Sequence, residues 1–227
     1  MLRSRCGSFR TSSELFTAGE QPGEVDAADQ ARDLAQSLAD GVAELVAQVS
    51  RRLPSATLVL QIDEPSLPAV LSGAVPTEGG YFRHRSVHPP EVAEALRPLA
   101  EATESSVLHC CAPGLPIDLV GAAGFAAASV DQDLIADIDT VAQAVDGGLQ
   151  LYLGCLPTSG PVRDWRPDDL VRRVLRLLQP LELGPVLADR LVLTPACGLA
   201  GVTPRRASSA LAALRRVSGL VDEALRQ

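Results

Sequence analysis

The stretch Thr57-Leu58-Val59-Leu60-Gln61-Ile62 is an almost continuous run of aliphatic and β-branched residues. Such a run is typical of a strand that is buried on both faces, as the strands of parallel sheets are. Before it, residues 27–50 carry apolar side chains at the i, i+3, i+4 and i+7 spacing of an amphipathic helix. A helix that leads into a fully buried strand predicts an α/β fold.

The same alternation continues along the rest of the chain. Further strands are predicted at 106–109, 125–130, 149–154 and 190–194, and further helices at 91–103, 116–123, 132–145, 168–178 and 203–225, with a Gly- and Pro-rich loop at 72–90. Strands that alternate with helices indicate βαβ units and a parallel sheet. No Gly-x-Gly-x-x-Gly follows any strand, so a dinucleotide-binding fold lacks its fingerprint. Five βα units fit either a doubly wound sheet or part of a (β/α)8 barrel.

The composition excludes several classes of protein. The 227 residues are 46% hydrophobic and 21% charged, as in globular proteins, and no run approaches the ~18 apolar residues of a membrane span. A net charge of −8 without a basic stripe argues against nucleic-acid binding. All 20 basic residues are arginine, which excludes lysine Schiff-base chemistry and a P-loop lysine. The N-terminus lacks the apolar stretch of a signal peptide, so a cytoplasmic location is expected.

Reactive side chains cluster where the predicted strands end. They are Asp63 and Glu64 after the first strand, His109, Cys110 and Cys111 after the second, Asp131 after the third, Cys155 after the fourth and Cys197 after the fifth. Five cysteines, an odd number, without a secretory signal argue against a disulfide framework. Since barrel active sites gather at the C-terminal ends of the strands, the sequence predicts a site at that edge.

His109-Cys110-Cys111 carries the most specific local signal. In an extended segment the side chains of residues 109 and 111 point to one face and that of Cys110 to the other. A histidine nitrogen and a cysteine thiolate two residues apart can bind one zinc ion, with Cys197 and Asp131 as candidates for the remaining ligands. The alternative is that these are buried thiols beside a hydrogen-bonded core histidine. The residues alone leave both interpretations open.

Other polar motifs also allow two interpretations. Pro65 restricts Glu64 to an extended conformation. Asp63 and Glu64 can anchor a substrate or act in acid–base chemistry, or one of them can cap backbone N–H groups in a solvated loop. A lone cysteine such as Cys197 is more often a packing residue than a metal ligand. His84 and His88 are expected in a solvated loop, because no cysteine or carboxylate flanks them.

Three motifs taken together resemble the cobalamin-independent methionine synthase family. They are Gln61-Ile62-Asp63-Glu64-Pro65, His109-x-Cys111 and Pro195-Ala196-Cys197-Gly198-Leu199, in that order at the ends of successive strands. The resemblance is to the C-terminal catalytic barrel of the family and covers the chain from about Ala27 onwards. It implies a (β/α)8 TIM barrel, in the fold superfamily that includes uroporphyrinogen decarboxylase.

The resemblance also implies an activity. The family uses zinc to hold homocysteine as a thiolate, which takes the methyl group of 5-methyltetrahydropteroyl-polyglutamate in methionine biosynthesis. By position, His109, Cys111 and Cys197 would be zinc ligands, and Asp131 would stand where the family has a ligand glutamate. Asp63 matches the aspartate that holds the amino group of homocysteine. The expected partners are therefore small molecules, a homocysteine-like thiol and a methylated folate.

The chain also departs from the family. Cys155 stands where the family places a histidine for proton transfer to the folate, and Asp131 is one methylene shorter than glutamate. Residues 1–25, a poorly specified segment, are too few for the three βα units that precede these strands in the family, although Arg5–Thr11 resembles a remnant of one of the missing strands. Residues 26–227 would then form an N-terminally truncated barrel domain with about five βα units.

Such a truncated barrel leaves three explanations open. Met1 is not the natural start, or the chain is a remnant of a complete enzyme, or a second chain completes the fold. An incomplete barrel has open sheet edges, which predicts self-association. The alternatives to a methyltransferase are a non-catalytic zinc- or thiol-binding remnant and a uroporphyrinogen-decarboxylase-like protein. The cysteines argue against a uroporphyrinogen-decarboxylase-like protein, because decarboxylation of that kind needs no metal.

Overall fold

Strands and helices alternate along the chain in the computed structural model, which describes residues 27–158 and 165–227. The strands are β1 (Leu60–Asp63), β2 (Ser106–Cys110), β3 (Ala127–Asp131), β4 (Gln150–Leu156) and β5 (Leu191–Pro195). The helices are α1 (Ala27–Arg52), α2 (Leu67–Ser72), α3 (Pro89–Ala100), α4 (Ile117–Ala122), α5 (Ile138–Asp146), α6 (Pro167–Leu178), α7 (Gly184–Arg190) and α8 (Pro204–Leu225). Short 3-10 turns follow β3 and α6.

The five described strands form one parallel sheet in the order β1-β2-β3-β4-β5. This order follows the chain without the reversal that marks a doubly wound sheet, and it is that of consecutive βα units in a (β/α)8 barrel. The sheet is not closed, because β1 and β5 are its edge strands in the described residues. The expected fold class, α/β with part of a TIM barrel, is therefore confirmed.

The two faces of the sheet differ in chemistry. One face packs against the helices through apolar side chains such as Leu108, Val130 and Leu153. Because side chains alternate along a strand, the intervening residues point to the other face. That face, which we call the polar face, carries Gln61 and Asp63 of β1, His109 of β2, Ser129 and Asp131 of β3, Tyr152 of β4 and Thr194 of β5. The fold thus collects most of the polar strand residues on one side.

Some elements differ from the sequence prediction. Strand β1 begins at Leu60 rather than Thr57, and the helices α2 and α7 were not predicted. The helix predicted over 132–145 is a 3-10 turn followed by α5. The break has a local cause, since the carboxylate of Asp137 accepts hydrogen bonds from the backbone N–H groups of Asp139 and Thr140 and so begins a new helix.

Several expectations lie beyond these observations. The segment 1–25, including Arg5–Thr11, lies outside the described residues, so the domain boundary at residue 26 stays a prediction. Self-association through the sheet edges and the absence of nucleic-acid binding also stay predictions. Within the described ranges, no helix combines the length and the apolar character needed to cross a membrane.

Candidate metal centre

His109, Cys111 and Cys197 converge at the C-terminal edge of the sheet. One ligand atom of each residue lies within 4.8 Å of a ligand atom of the other two. His109 is buried, Cys111 is half-buried and Cys197 is exposed, so the group reaches from the polar face to the surface. This group joins the end of β2 to the residues that follow β5, two strands that are separated by β3 and β4 in the sheet.

The alternation along β2 separates Cys110 from its neighbours. Cys110 is only 1% exposed, and its thiol lies 3.8 Å from the carbonyl oxygen of Ala112. Burial raises the pKa of the Cys110 thiol, and the nearby carboxylate of Glu64 adds to the rise. Cys110 therefore behaves as a small buried side chain, while Cys111 points toward Cys197.

Cys111 and Cys197 influence each other directly. Burial is the largest cause that raises the pKa of the Cys111 thiol, and together with charge repulsion by, and a hydrogen bond to, the adjacent thiol of Cys197 it raises that pKa to about 11. Two neighbouring thiols resist ionisation because the thiolates repel each other, whereas a bound cation stabilises both thiolates. Two sulfur atoms and one histidine nitrogen are a donor set that zinc prefers, and three protein ligands are the number typical of catalytic zinc sites. The residues present fit a zinc ion.

Two further residues contact His109 or the segment that carries Cys197, and no motif in the sequence singles out either of them. Ser129 faces His109 across β2 and β3, with its Oγ 3.0 Å from Nδ1 of the imidazole. Gly154 of β4 lies against the residues that lead to Cys197, since a Cβ there would be 2.6 Å from the Cα of Ala196. Alternation along β3 places Ser129 on the same face as Asp131. Its contact with His109 depends on the register between β2 and β3, which the sequence does not show.

Asp131 and Asp63 lie near the group but outside it. Oδ1 of Asp131 accepts the backbone N–H of Asp133 at 2.9 Å, and Asp131 is not among the three converging residues. Asp63 is the register partner of His109 in the neighbouring strand. Its carboxylate is exposed and accepts a hydrogen bond from Nε2 of Gln61 at 2.7 Å. The structure thus brings together three of the four predicted metal ligands.

The expected place of Cys155 at the edge of the sheet is wrong. Strand β4 continues to Leu156, and Cys155 is fully buried in the core between the sheet and the helices. Burial raises the pKa of its thiol to about 12, far above the range in which it could exchange a proton near neutral pH. Cys155 therefore packs as an apolar residue.

The comparisons with known proteins agree with this geometry. The family model described as "Cobalamin-independent synthase, catalytic domain" matches residues 22–219, which is most of the chain. A search of curated proteins found no match. The matched segment contains the five strands of the described residues and the three converging residues. The chain therefore belongs to the cobalamin-independent synthase family, and it corresponds to the catalytic domain of that family.

Proposed function

We propose that the chain transfers a methyl group from 5-methyltetrahydropteroyl-polyglutamate to the thiol of homocysteine, using a zinc ion. The observation that carries this proposal is the convergence of His109, Cys111 and Cys197 within 4.8 Å, which offers zinc three ligands from two distant segments. Family membership supports the reaction class. A role in methionine biosynthesis and a cytoplasmic location stay predictions.

The residues of the centre have separate tasks in this proposal. His109, Cys111 and Cys197 would hold the zinc, which when bound supplies the Lewis acidity that keeps the substrate thiol deprotonated at neutral pH. Asp63, exposed beside His109 in the sheet register, would bind the ammonium group of homocysteine. These contacts would fix the sulfur of homocysteine relative to the methyl donor, which is the main contribution a protein makes to a displacement of this kind.

Asp131 is the proposed fourth protein ligand. It ends β3 on the same face as Ser129, one strand away from His109. One of its oxygens already accepts the N–H of Asp133, so metal binding through the other oxygen would leave that hydrogen bond intact. The carboxylate would then add one negative charge to a centre in which the two thiolates already balance the charge of the zinc ion.

The transfer itself requires a proton for the departing nitrogen. The sulfur of homocysteine forms a bond to the methyl carbon, the bond from that carbon to N5 of the folate breaks, and N5 keeps the electron pair and takes up a proton. Cys155 does not supply this proton, because it is buried on the helix-facing side of the sheet with a pKa raised to about 12.

A direct assay tests the proposal. Zinc-loaded protein is incubated with homocysteine and the methylated folate, and methionine is measured by mass spectrometry, beside protein treated with a chelator. The proposal predicts methionine that depends on both protein and zinc. The open sheet in the described residues favours a second candidate, a non-catalytic zinc- or thiol-binding protein. Zinc and homocysteine binding without any methionine would contradict the first candidate and support the second.

Asp63→Asn is expected to weaken homocysteine binding without weakening zinc binding. The substitution keeps the shape of the side chain and its hydrogen bond from Gln61 but removes the charge that would pair with an ammonium group. We expect KM for homocysteine to rise about tenfold, as for loss of one charge-assisted hydrogen bond of about 1.5 kcal/mol. Asp146→Asn, at the C-terminal end of α5, is the control for removal of an acidic charge. An unchanged KM in Asp63→Asn would contradict the assigned role.

A further inference from the structure

The buried pair His109 and Ser129 links the candidate metal centre to strand β3. The two residues are direct register partners in neighbouring parallel strands, and their side chains lie on the same face. His109 is 8% exposed and Ser129 is 5% exposed. Nδ1 of the imidazole lies 3.0 Å from Oγ of the serine, which is hydrogen-bond distance. A buried contact of this kind fixes the orientation of the imidazole ring.

We propose that Ser129 is a positioning residue that selects the tautomer of His109 in which Nδ1 carries the proton and Nε2 presents its lone pair to the metal. The proposal rests on the proposed metal centre and adds the choice of ligand atom. A neutral imidazole has one protonated nitrogen, and the partner of one nitrogen decides which nitrogen is left to bind a metal. The Ser129 hydroxyl can accept the proton of Nδ1, because a hydroxyl oxygen has two lone pairs.

The geometry favours Ser129 over the other polar residues of the face for this task. Asp63 is the register partner of His109 on the opposite side, but its Oδ1 already accepts a hydrogen bond from Gln61 at 2.7 Å, and its side chain is exposed. Tyr152 is the register partner of Ser129 and lies one strand farther away. Ser129 is therefore the buried hydroxyl in direct contact with the ring.

The first test reads the tautomer itself. Nitrogen-15 labelled histidine and two-dimensional NMR identify which ring nitrogen of His109 is protonated, with His109→Gln used to assign the signal. In metal-free wild type we expect a proton on Nδ1, and in zinc-loaded protein we expect the zinc on Nε2. In Ser129→Ala we expect a shift toward the tautomer with the proton on Nε2. A wild type with the proton on Nε2, or with zinc on Nδ1, would overturn the proposal.

The second test measures zinc affinity by competition with a chelator. Ser129→Ala is expected to weaken binding about 10- to 100-fold, as is typical when the partner of a metal-binding histidine is lost, and Ser129→Thr should restore most of it. Ser106→Ala is the matched control, since it removes the hydroxyl of another buried serine at the start of β2 and should leave affinity unchanged. If Ser129→Ala binds zinc as tightly as wild type, the role of Ser129 is wrong while the metal centre stands. If the wild type binds no zinc but keeps the proton on Nδ1 of His109, the proposed metal centre is wrong. Ser129 then only orients the imidazole ring, and its proposed role in metal binding is wrong as well.

Discussion

Cys197→Ser is expected to lower zinc affinity by about 100-fold or more, beyond the ~10- to 100-fold typical of losing a residue that merely supports a ligand. The reason is that Cys197 supplies one of only two sulfur atoms in the converging group, and a serine hydroxyl is a far poorer zinc ligand than a thiolate. Cys197 is exposed, so the substitution should leave the free energy of unfolding within about 0.5 kcal/mol of wild type. Equilibrium competition with a chromophoric chelator measures the affinity.

The matched control for Cys197→Ser is Cys110→Ala. Cys110 lies next to two of the candidate ligands in the chain, but its side chain points to the helix-facing side of the sheet. Removing its sulfur should cost some stability through a small cavity and leave zinc affinity unchanged. If Cys110→Ala and Cys197→Ser weakened zinc binding equally, the assignment of Cys197 as a ligand would be wrong.

Gly154→Ala is expected to damage both stability and zinc binding, although residue 154 is not a ligand. The new Cβ would lie 2.6 Å from the Cα of Ala196 and 3.0 Å from the carbonyl oxygen of Val130, and both are backbone atoms that cannot rotate away. Ala196 is held to β4 by a hydrogen bond of 2.9 Å from its N–H to the carbonyl of Leu156. The methyl group must therefore push the segment that leads to Cys197 away from the sheet.

The expected loss of stability in Gly154→Ala is about 1–3 kcal/mol, as for other overpacked interiors. Zinc affinity should fall because Cys197 follows Ala196 directly, and this loss should remain when affinity is measured at a temperature where circular dichroism shows the variant folded. Gly121→Ala is the control, because nothing lies within 4 Å of its Cβ position in α4 and it should stabilise the helix by about 0.5–1 kcal/mol. A folded Gly154→Ala variant with wild-type zinc affinity would show that the contact does not position Cys197.

The sequence was sufficient to predict that His109 and Cys111 lie on the opposite face from Cys110. The buried runs around Leu60, Leu108 and Leu193 mark strands, and strand alternation then places His109 and Cys111 on one side and Cys110 on the other. Parallel strands end at the same edge, which predicts that the residues after β2 and β5 lie on one rim, with Cys197 as a candidate ligand. The convergence of Cys197 with His109 and Cys111 agrees with that expectation.

Features that depend on the exact strand register, or on how a few loop residues form hydrogen bonds, could not be predicted. The short helices α2 and α7 span six and seven residues, too few for a periodic pattern to stand out. The hydrogen bond from the N–H of Asp133 to Asp131 depends on how the chain turns after β3. The sequence predicts a strand that ends at residue 154, whereas β4 continues to Leu156, so Cys155 lies within the strand and not in the loop that follows it.

The central claim is that His109, Cys111 and Cys197 hold a zinc ion at which a thiol substrate binds. The most direct measurement is zinc K-edge X-ray absorption of the zinc-loaded protein, with and without homocysteine. We predict two sulfur neighbours at about 2.3 Å with histidine nitrogen in the first shell, and one additional sulfur when homocysteine is present. Failure of the folded protein to bind zinc, or a sulfur count that homocysteine leaves unchanged, would contradict the claim.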